Sequence, residues 1–236
     1  MLRSQEELRF APETIARMQA CTAAGGEWLD VVHDIQREVA IGHGFKSALG
    51  ISAAVRRMQT AHTTAPELAK LSVYARANLA EAGALQPGQP WPNVPLVGLD
   101  GQRCTLKDWC GDLTVVCAGQ TQIRFLCVYI REAHASDVWP IDGPQVWEPQ
   151  TTAQRVQTAL EFQRQCKLSW PIAVDCIEDD FLRTFSPWPF RFYVFRGEKV
   201  ELKSAPVDGT HSVDEVEEAL RRFEISGRTQ TGFVTG

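Results

Sequence analysis

The sequence has no Cys-x-x-Cys pair, no Gly-x-Gly-x-x-Gly and no Walker-type glycine loop. It therefore offers neither a vicinal dithiol nor a backbone cradle for a phosphate. An excess of positive charge is also missing: 24 Lys and Arg face 29 Asp and Glu, for a net charge of −5. With no local basic patch either, nucleic acid and anionic membrane surfaces are not expected partners. Long apolar runs are lacking too. The longest, Phe125-Leu-Cys-Val-Tyr-Ile130, falls far short of the roughly 20 residues a bilayer span needs and reads as a buried strand. The opening Met1 to Phe10 has neither the apolar stretch of a signal peptide nor the Arg-rich, acid-poor bias of a transit peptide, so a cytoplasmic location is expected. Seven cysteines, an odd number, in a chain large enough to bury a core without staples argue for reduced thiols.

Two different periodicities divide the chain. Trp28, Val31, Val32, Ile35 and Val39 recur at i, i+3, i+4, i+7 spacing, and Ile51, Val55 and Met58 repeat the period with Arg56 and Arg57 opposite. A further helix is expected from Thr64, which can cap reciprocally with Glu67, to Gly83. Residues 1–84 thus read as a helical N-terminal region. Five prolines and glycines between Gln86 and Pro95 cannot sustain regular structure, so residues 85–93 read as a linker.

From residue 94 the pattern is that of strands. Val97 and Leu99, then Cys104 and Leu106, flank Asp100-Gly101, which suggests a two-residue hairpin turn with positive φ at both positions. Leu113 to Ala118, Phe125 to Ile130 and Ile172 to Asp175 read as buried strands, Thr151 to Lys167 as a helix, and Phe181 to Phe185 as a short one. Strands Phe190 to Phe195 and Lys199 to Lys203 follow around a turn at Arg196-Gly197. A last helix then starts at a capping box, Ser212 to Glu215, and buries Val216, Leu220 and Phe223. Residues 94–225 are therefore expected to form a thioredoxin-like α/β domain, a central sheet flanked by helices, with 226–236 as a flexible tail.

One connection is too short for that fold. Only Gly119 to Arg124 separate two central strands, whereas a parallel pair needs a crossover of about a dozen residues or more. The two strands are expected to form a tight antiparallel hairpin, or one is displaced. The missing helix is the one whose N-terminus would hold and activate a redox cysteine.

Chemistry concentrates just after Phe125 to Ile130, in Glu132-Ala-His-Ala-Ser-Asp137 and Trp139. Open α/β sheets bind ligands beyond the carboxyl ends of their strands. Glu132 and His134 project to one side of an extended chain, and the carboxylate can raise the imidazole pKa and make His134 a proton donor near neutrality. Equally, Ser136 or Asp137 caps a helix and His134 is a satisfied loop residue.

The run from Phe125 to Trp139 resembles the signature of the iodothyronine deiodinases, selenocysteine-dependent members of the thioredoxin-like superfamily. The resemblance covers residues 94–224 and includes Pro171 to Asp175 and Pro189-Phe-Arg-Phe-Tyr-Val194. It implies reductive removal of iodine from an iodinated phenol, or related selenol or thiol chemistry, with a thiol reductant as co-substrate and no bound cofactor. In the roles it implies, His134 and Glu132 are catalytic, while Ser136, Asp137, Trp139, Pro189 and Arg191 bind substrate. Pro189 corresponds to the residue that is typically cis in such folds. A small-molecule substrate is the expected partner, and a homodimer is compatible with the resemblance. Three departures stand out: the nucleophile segment after the first central strand is absent, a second histidine is replaced near Pro149-Gln150, and no membrane anchor precedes the domain. A segment with an in-frame UGA codon excised as an intron, a splice form and a decayed homologue each account for the first. A peroxiredoxin-like thiol peroxidase also fits the fold but needs no Glu-Ala-His-Ala-Ser-Asp.

The remaining candidates read as structural. Cys117 and Cys127 are expected in core strands, Cys104 and Cys110 fit no zinc or redox spacing, and His33, His43, His62 and His211 are too scattered for a metal site.

Overall fold

The structure is a computed structural model that describes residues 1–116, 124–141, 145–205 and 212–230; of 124 and 223–230 it describes the backbone. Cys117 and His211 lie outside the described residues. The chain folds as two compact units, Met1–Asn78 with Glu132–Glu148, and Leu79–Arg131 with Pro149–Gly236.

The first unit is helical: α1 Leu2–Arg9, α2 Pro12–Ala23, α3 Trp28–Gly42, α4 Ala48–Thr64, a 3₁₀ turn Pro66–Leu71 and α5 Val73–Ala77. Its core is Met18, Val31, Ile35, Val39 and Met58, so the 3.6-residue spacing had selected most of the right face. Ser47 starts α4 by accepting a hydrogen bond from Gly50 N at 3.1 Å. The helix expected from Thr64 to Gly83 does not form. Thr64 ends α4, its Oγ1 donating to Ala61 O at 3.2 Å. Pro66, which disfavours helical geometry in the preceding residue, restarts the chain as a 3₁₀ turn.

The second unit carries a seven-stranded sheet: β1 Pro95–Gly98, β2 Arg103–Thr105, β3 Leu113–Val116, β4 Arg124–Tyr129, β5 Ile172–Asp175, β6 Tyr193–Arg196 and β7 Lys199–Lys203. The order is β2-β1-β5-β4-β3-β6-β7. α6 Leu106–Trp109 follows β2, α7 Thr152–Gln165 and α8 Asp180–Phe185 bracket β5, and α9 Asp214–Gln230 follows β7. Parallel β3, β4 and β5, the antiparallel β6–β7 pair and a terminal helix make this the expected thioredoxin-like fold. Leu96, Leu106, Leu126, Ala173, Phe181, Phe185, Tyr193 and Phe195 fill one side of the sheet. Val115, Val194, Val216 and Ala219 form a cluster with α9.

The connection between β3 and β4 corrects the sequence reading. The strands pair in parallel, Thr114 opposite Arg124 and Val116 opposite Leu126, and do not form an antiparallel hairpin. Val116 therefore lies only about two residues, or roughly 7 Å, beyond the level of Arg124. An extended chain of residues 117–123 has ample reach for that return. The seven residues 117–123 thus make a connection shorter than the dozen or more that parallel crossovers usually take; they lie outside the described residues.

Three smaller differences follow from local chemistry. The β1–β2 loop has positive φ only at Gly101, with Gly101 N donating to Gly98 O at 2.9 Å: a type I turn closed by a left-handed glycine. The proline-rich stretch assigned as a linker is docked on the sheet unit. Leu85 and Trp91 are buried, and Gly88 N and Trp91 N donate to Val200 O and Glu198 O. Proline prevents regular structure there but not backbone hydrogen bonding by its neighbours. α9 runs on to Gln230, past the start of the expected tail at 226; residues 231–236 lie outside the described residues.

Candidate active site

The Glu132 to Trp139 run leaves the end of β4 and belongs to the helical unit. Its hydroxyl and carboxylate do not cap a helix. Ala135 O accepts from both Val138 N and Trp139 N at 3.0 and 2.9 Å, which closes a single turn. Ser136 N donates to Val146 O at 2.7 Å, and Asp137 Oδ1 accepts from Glu148 N at 2.9 Å. Ser136 and Asp137 therefore tie the two ends of a returning loop together. Glu132 is half-buried at its start.

His134 sits in an aromatic corner. Trp139 and Trp28 meet its ring edge-on, with centroids 4.9 and 5.7 Å away, and Tyr74 packs in the same manner on Trp139. Nδ1 lies 3.2 Å from Trp139 O. A carbonyl can only accept, so Nδ1 carries the proton and the neutral ring presents its lone pair at Nε2. Burial pushes the imidazole below its usual 6.5; the Trp139 carbonyl opposes that, and the nearby Arg9 guanidinium adds to it. The expected upward shift from Glu132 is not what the structure gives. Desolvation and a buried cation prevail, so His134 is a neutral hydrogen-bonding group or base near pH 7, not a resting proton donor.

The other residues implied by the resemblance lie in the sheet unit. The Trp188–Pro189 peptide is cis, as expected, and Pro189 is exposed. Arg191 is buried, and its Nη2 and Nη1 donate to Glu81 O at 3.0 Å and Ala82 O at 3.4 Å. Its guanidinium clamps the chain that enters this unit. Lys203 adds a bond to Leu85 O at 3.1 Å, and Ser186 Oγ donates to Glu81 Oε1 at 2.9 Å.

None of the six cysteines in the described residues is disulfide-bonded or built as a nucleophile. Cys127 is buried in β4. Cys104 Sγ accepts from Trp109 Nε1 at 3.1 Å and Cys21 donates to Glu27 O at 3.4 Å. Burial, with Asp175 and Glu178 close by, pushes the Cys176 thiol up, the wrong direction for thiolate chemistry. No group of three or more potential metal ligands occurs among the described residues.

Sequence reasoning missed a charged clip at the end of β5. Arg155, on the buried face of α7, donates through Nη1 to Asp175 O at 3.1 Å and Cys176 O at 2.6 Å, and pairs with Asp179 Oδ1 at 2.8 Å. Asp175 Oδ1 and Oδ2 accept from Phe181 N and Leu182 N at 3.0 and 2.9 Å and so start α8. The available signal was an arginine at the i−4 position from Ala159, on the helix's apolar face. Arg9, equally buried, donates through Nη2 to Pro140 O at 2.9 Å.

Residues 113–224 match the family model of the iodothyronine deiodinases. Just under half of the chain is thus similar to that family. The match starts at β3 and ends within α9, so it takes in the whole Glu132 to Trp139 run. Among solved structures the chain is similar to a putative protein disulfide isomerase from Bacteroides thetaiotaomicron, at 12% identity over 61% of this chain and 92% of that one, with a TM-score of 0.36.

Proposed function

We propose that this protein is a deiodinase-type member of the thioredoxin-like redox proteins that, with this sequence, binds its small-molecule ligand without turning it over. One observation carries the reading: β3 and β4 are parallel neighbours separated only by residues 117–123, where the redox-active helix would belong. A selenol or thiol acts as a nucleophile when a helix N-terminus or a cation lowers its pKa, and no described cysteine has that setting. The deciding assay is dithiol-dependent iodide release from an iodothyronine by the full chain. No release above the protein-free rate is expected; turnover that disappears in Cys117→Ser or Cys127→Ser overturns the reading.

The same strand register supports a second reading, in which a longer form is the enzyme. Parallel pairing is the arrangement a crossover helix would leave behind, so about twenty further residues could enter between Gln120 and Arg124 without disturbing a sheet hydrogen bond. That form would exchange a C–I bond for C–H, release iodide, and oxidise two thiols of the reductant to a disulfide. His134 and Glu132 would orient the phenol or move its proton, Ser136, Asp137 and Trp139 would support them, and the setting would be cytoplasmic. No described helix is long and apolar enough to cross a membrane. Sequencing the native transcript is the test: an insert with a UGA or Cys codon is expected, and a transcript matching this chain throughout refutes it.

A further inference from the structure

We infer that the helical unit contains a binding site for a small organic carboxylate with an apolar, aromatic-sized body. The inference does not depend on whether the matched region is active, because the site lies almost wholly outside the family match. A cavity of about 490 Å³ opens in this unit among α1, α3, α4 and the start of α5. That is within the roughly 300–1,000 Å³ usual for small-molecule sites.

Besides His33, Gln36, Gln59, Thr60, His62 and Ser72, its walls carry an apolar lining and two buried polar groups of α1. Trp28, Val32, Met58, Val73 and Trp139 supply an apolar lining, with Tyr74 half-exposed. Against these, α1 presents Gln5 and Arg9, one turn apart on the same face, 9% and 2% exposed. Arg9 Nη1 is buried without a hydrogen-bond partner, and so is Gln5 Oε1. A buried cation with an unused donor is costly unless an anion meets it. Glu6, the acid that acts on Arg9, is engaged elsewhere: Oε1 accepts from Val73 N at 2.9 Å and Oε2 pairs with Arg76 Nη2 at 3.2 Å. The Arg9 guanidinium is held by Pro140 O through Nη2 and lies 5.8 Å from the Trp28 ring centroid, and its Nη1 is the donor left for a ligand.

The chemistry selects the ligand class. A single free guanidinium nitrogen suits one carboxylate oxygen. The Gln5 amide can turn either its oxygen or its nitrogen toward the ligand, and so meets the second carboxylate oxygen or a hydroxyl or amine beside it. The indole and phenol walls suit a flat apolar body.

The test uses the full chain with two matched pairs of probes, 4-phenylbutyrate against 4-phenylbutanol and indole-3-acetate against indole-3-ethanol. Calorimetry and melting temperature are read for each. At least one acid should bind and raise the melting temperature, with its alcohol at least tenfold weaker. Arg9→Met should bring that acid down to the alcohol's affinity. Thr60→Trp, at an exposed position on the cavity rim, should weaken both members of the pair. Acids and alcohols binding alike, no acid binding at all, or Thr60→Trp leaving acid binding unchanged would overturn the assignment. A folded Arg9→Met that still prefers the acid would do the same. Should Arg9→Met fail to fold, the wild-type ratio and Thr60→Trp decide.

Discussion

Asp175 should make the stability of the sheet unit depend on pH in a direction opposite to that of most carboxylates. The side chain is fully buried at the end of β5, and burial raises its pKa from 3.8 to about 6, although the N–H groups of Phe181 and Leu182 and the charge of Arg155 pull downward. A carboxyl whose pKa is higher folded than unfolded holds its proton more tightly in the native state. Its contribution is fully present below the unfolded value and is lost as pH rises through about 6. The shift is about two pH units, worth about 3 kcal/mol, and no solvent screening reduces it. Asp175→Asn keeps the shape but not the ionisation, at a pH-independent cost of about 1–3 kcal/mol for the imperfectly met N–H pair. The stability of wild type relative to Asp175→Asn should therefore grow by about 2–3 kcal/mol as pH falls from about 7.5 to about 4. Urea unfolding followed by circular dichroism at a series of pH values measures it, and groups common to both proteins cancel in the difference. A difference that is flat with pH, or that grows toward alkaline pH, refutes the account of this carboxylate.

Two further outcomes follow from the same electrostatics. Arg155→Met should destabilise the protein by about 3–5 kcal/mol in urea unfolding, because it strands Asp179 and two carbonyls without their partner, and adding Asp179→Asn should recover part of that loss; additive losses would refute the pairing. The imidazole of His134 should titrate below 6.5 by NMR and keep that midpoint in Glu132→Gln, so that this residue's contribution to stability, present above 6.5, is lost as pH falls; a midpoint above 6.5 that drops in Glu132→Gln would restore Glu132 as its partner.

The elements legible in the sequence were those whose pattern is local. Ile172–Asp175 and Lys199–Lys203 were read with the bounds they have, because a short apolar run and an alternating one each say how they are buried. The period through Val31, Ile35 and Val39 located α3 for the same reason. The proline-rich stretch was misjudged because composition reports that no helix or strand can form, and says nothing of what the chain docks against. Trp91, whose indole donates to Gly197 O at 2.9 Å from a partner far along the chain, carries no local mark of that role. The candidate site shows the same division. The clustering of Glu132, His134, Ser136 and Asp137 was visible, but the protonation of His134 was not. It depends on Trp28 and Arg9, brought from helices more than a hundred residues upstream. Arg9 was illegible for a further reason: an arginine in an amphipathic helix is ordinarily on the wet face, and only the tertiary structure reveals that it is 2% exposed.

The length of the β3–β4 connection and the register of the two strands have to be weighed together. A short connection alone points to a hairpin, and the sequence reading followed it there. Yet a hairpin would oppose the two strands' directions and leave β4 antiparallel to β5, losing the parallel pairs Cys127 with Ile172 and Tyr129 with Val174. β4 also carries the apolar residues Leu126 and Val128 into the main core. Burying these side chains gives about 1.5–3 kcal/mol each, whereas loop-closure cost changes by only about 0.6 kcal/mol for a doubling of loop length. The sheet therefore dictates the direction of β4, and the connection follows with whatever residues it has. By the same reasoning, lengthening this connection would alter the chemistry available at the ends of β3 and β4 far more than it would alter the stability of the fold.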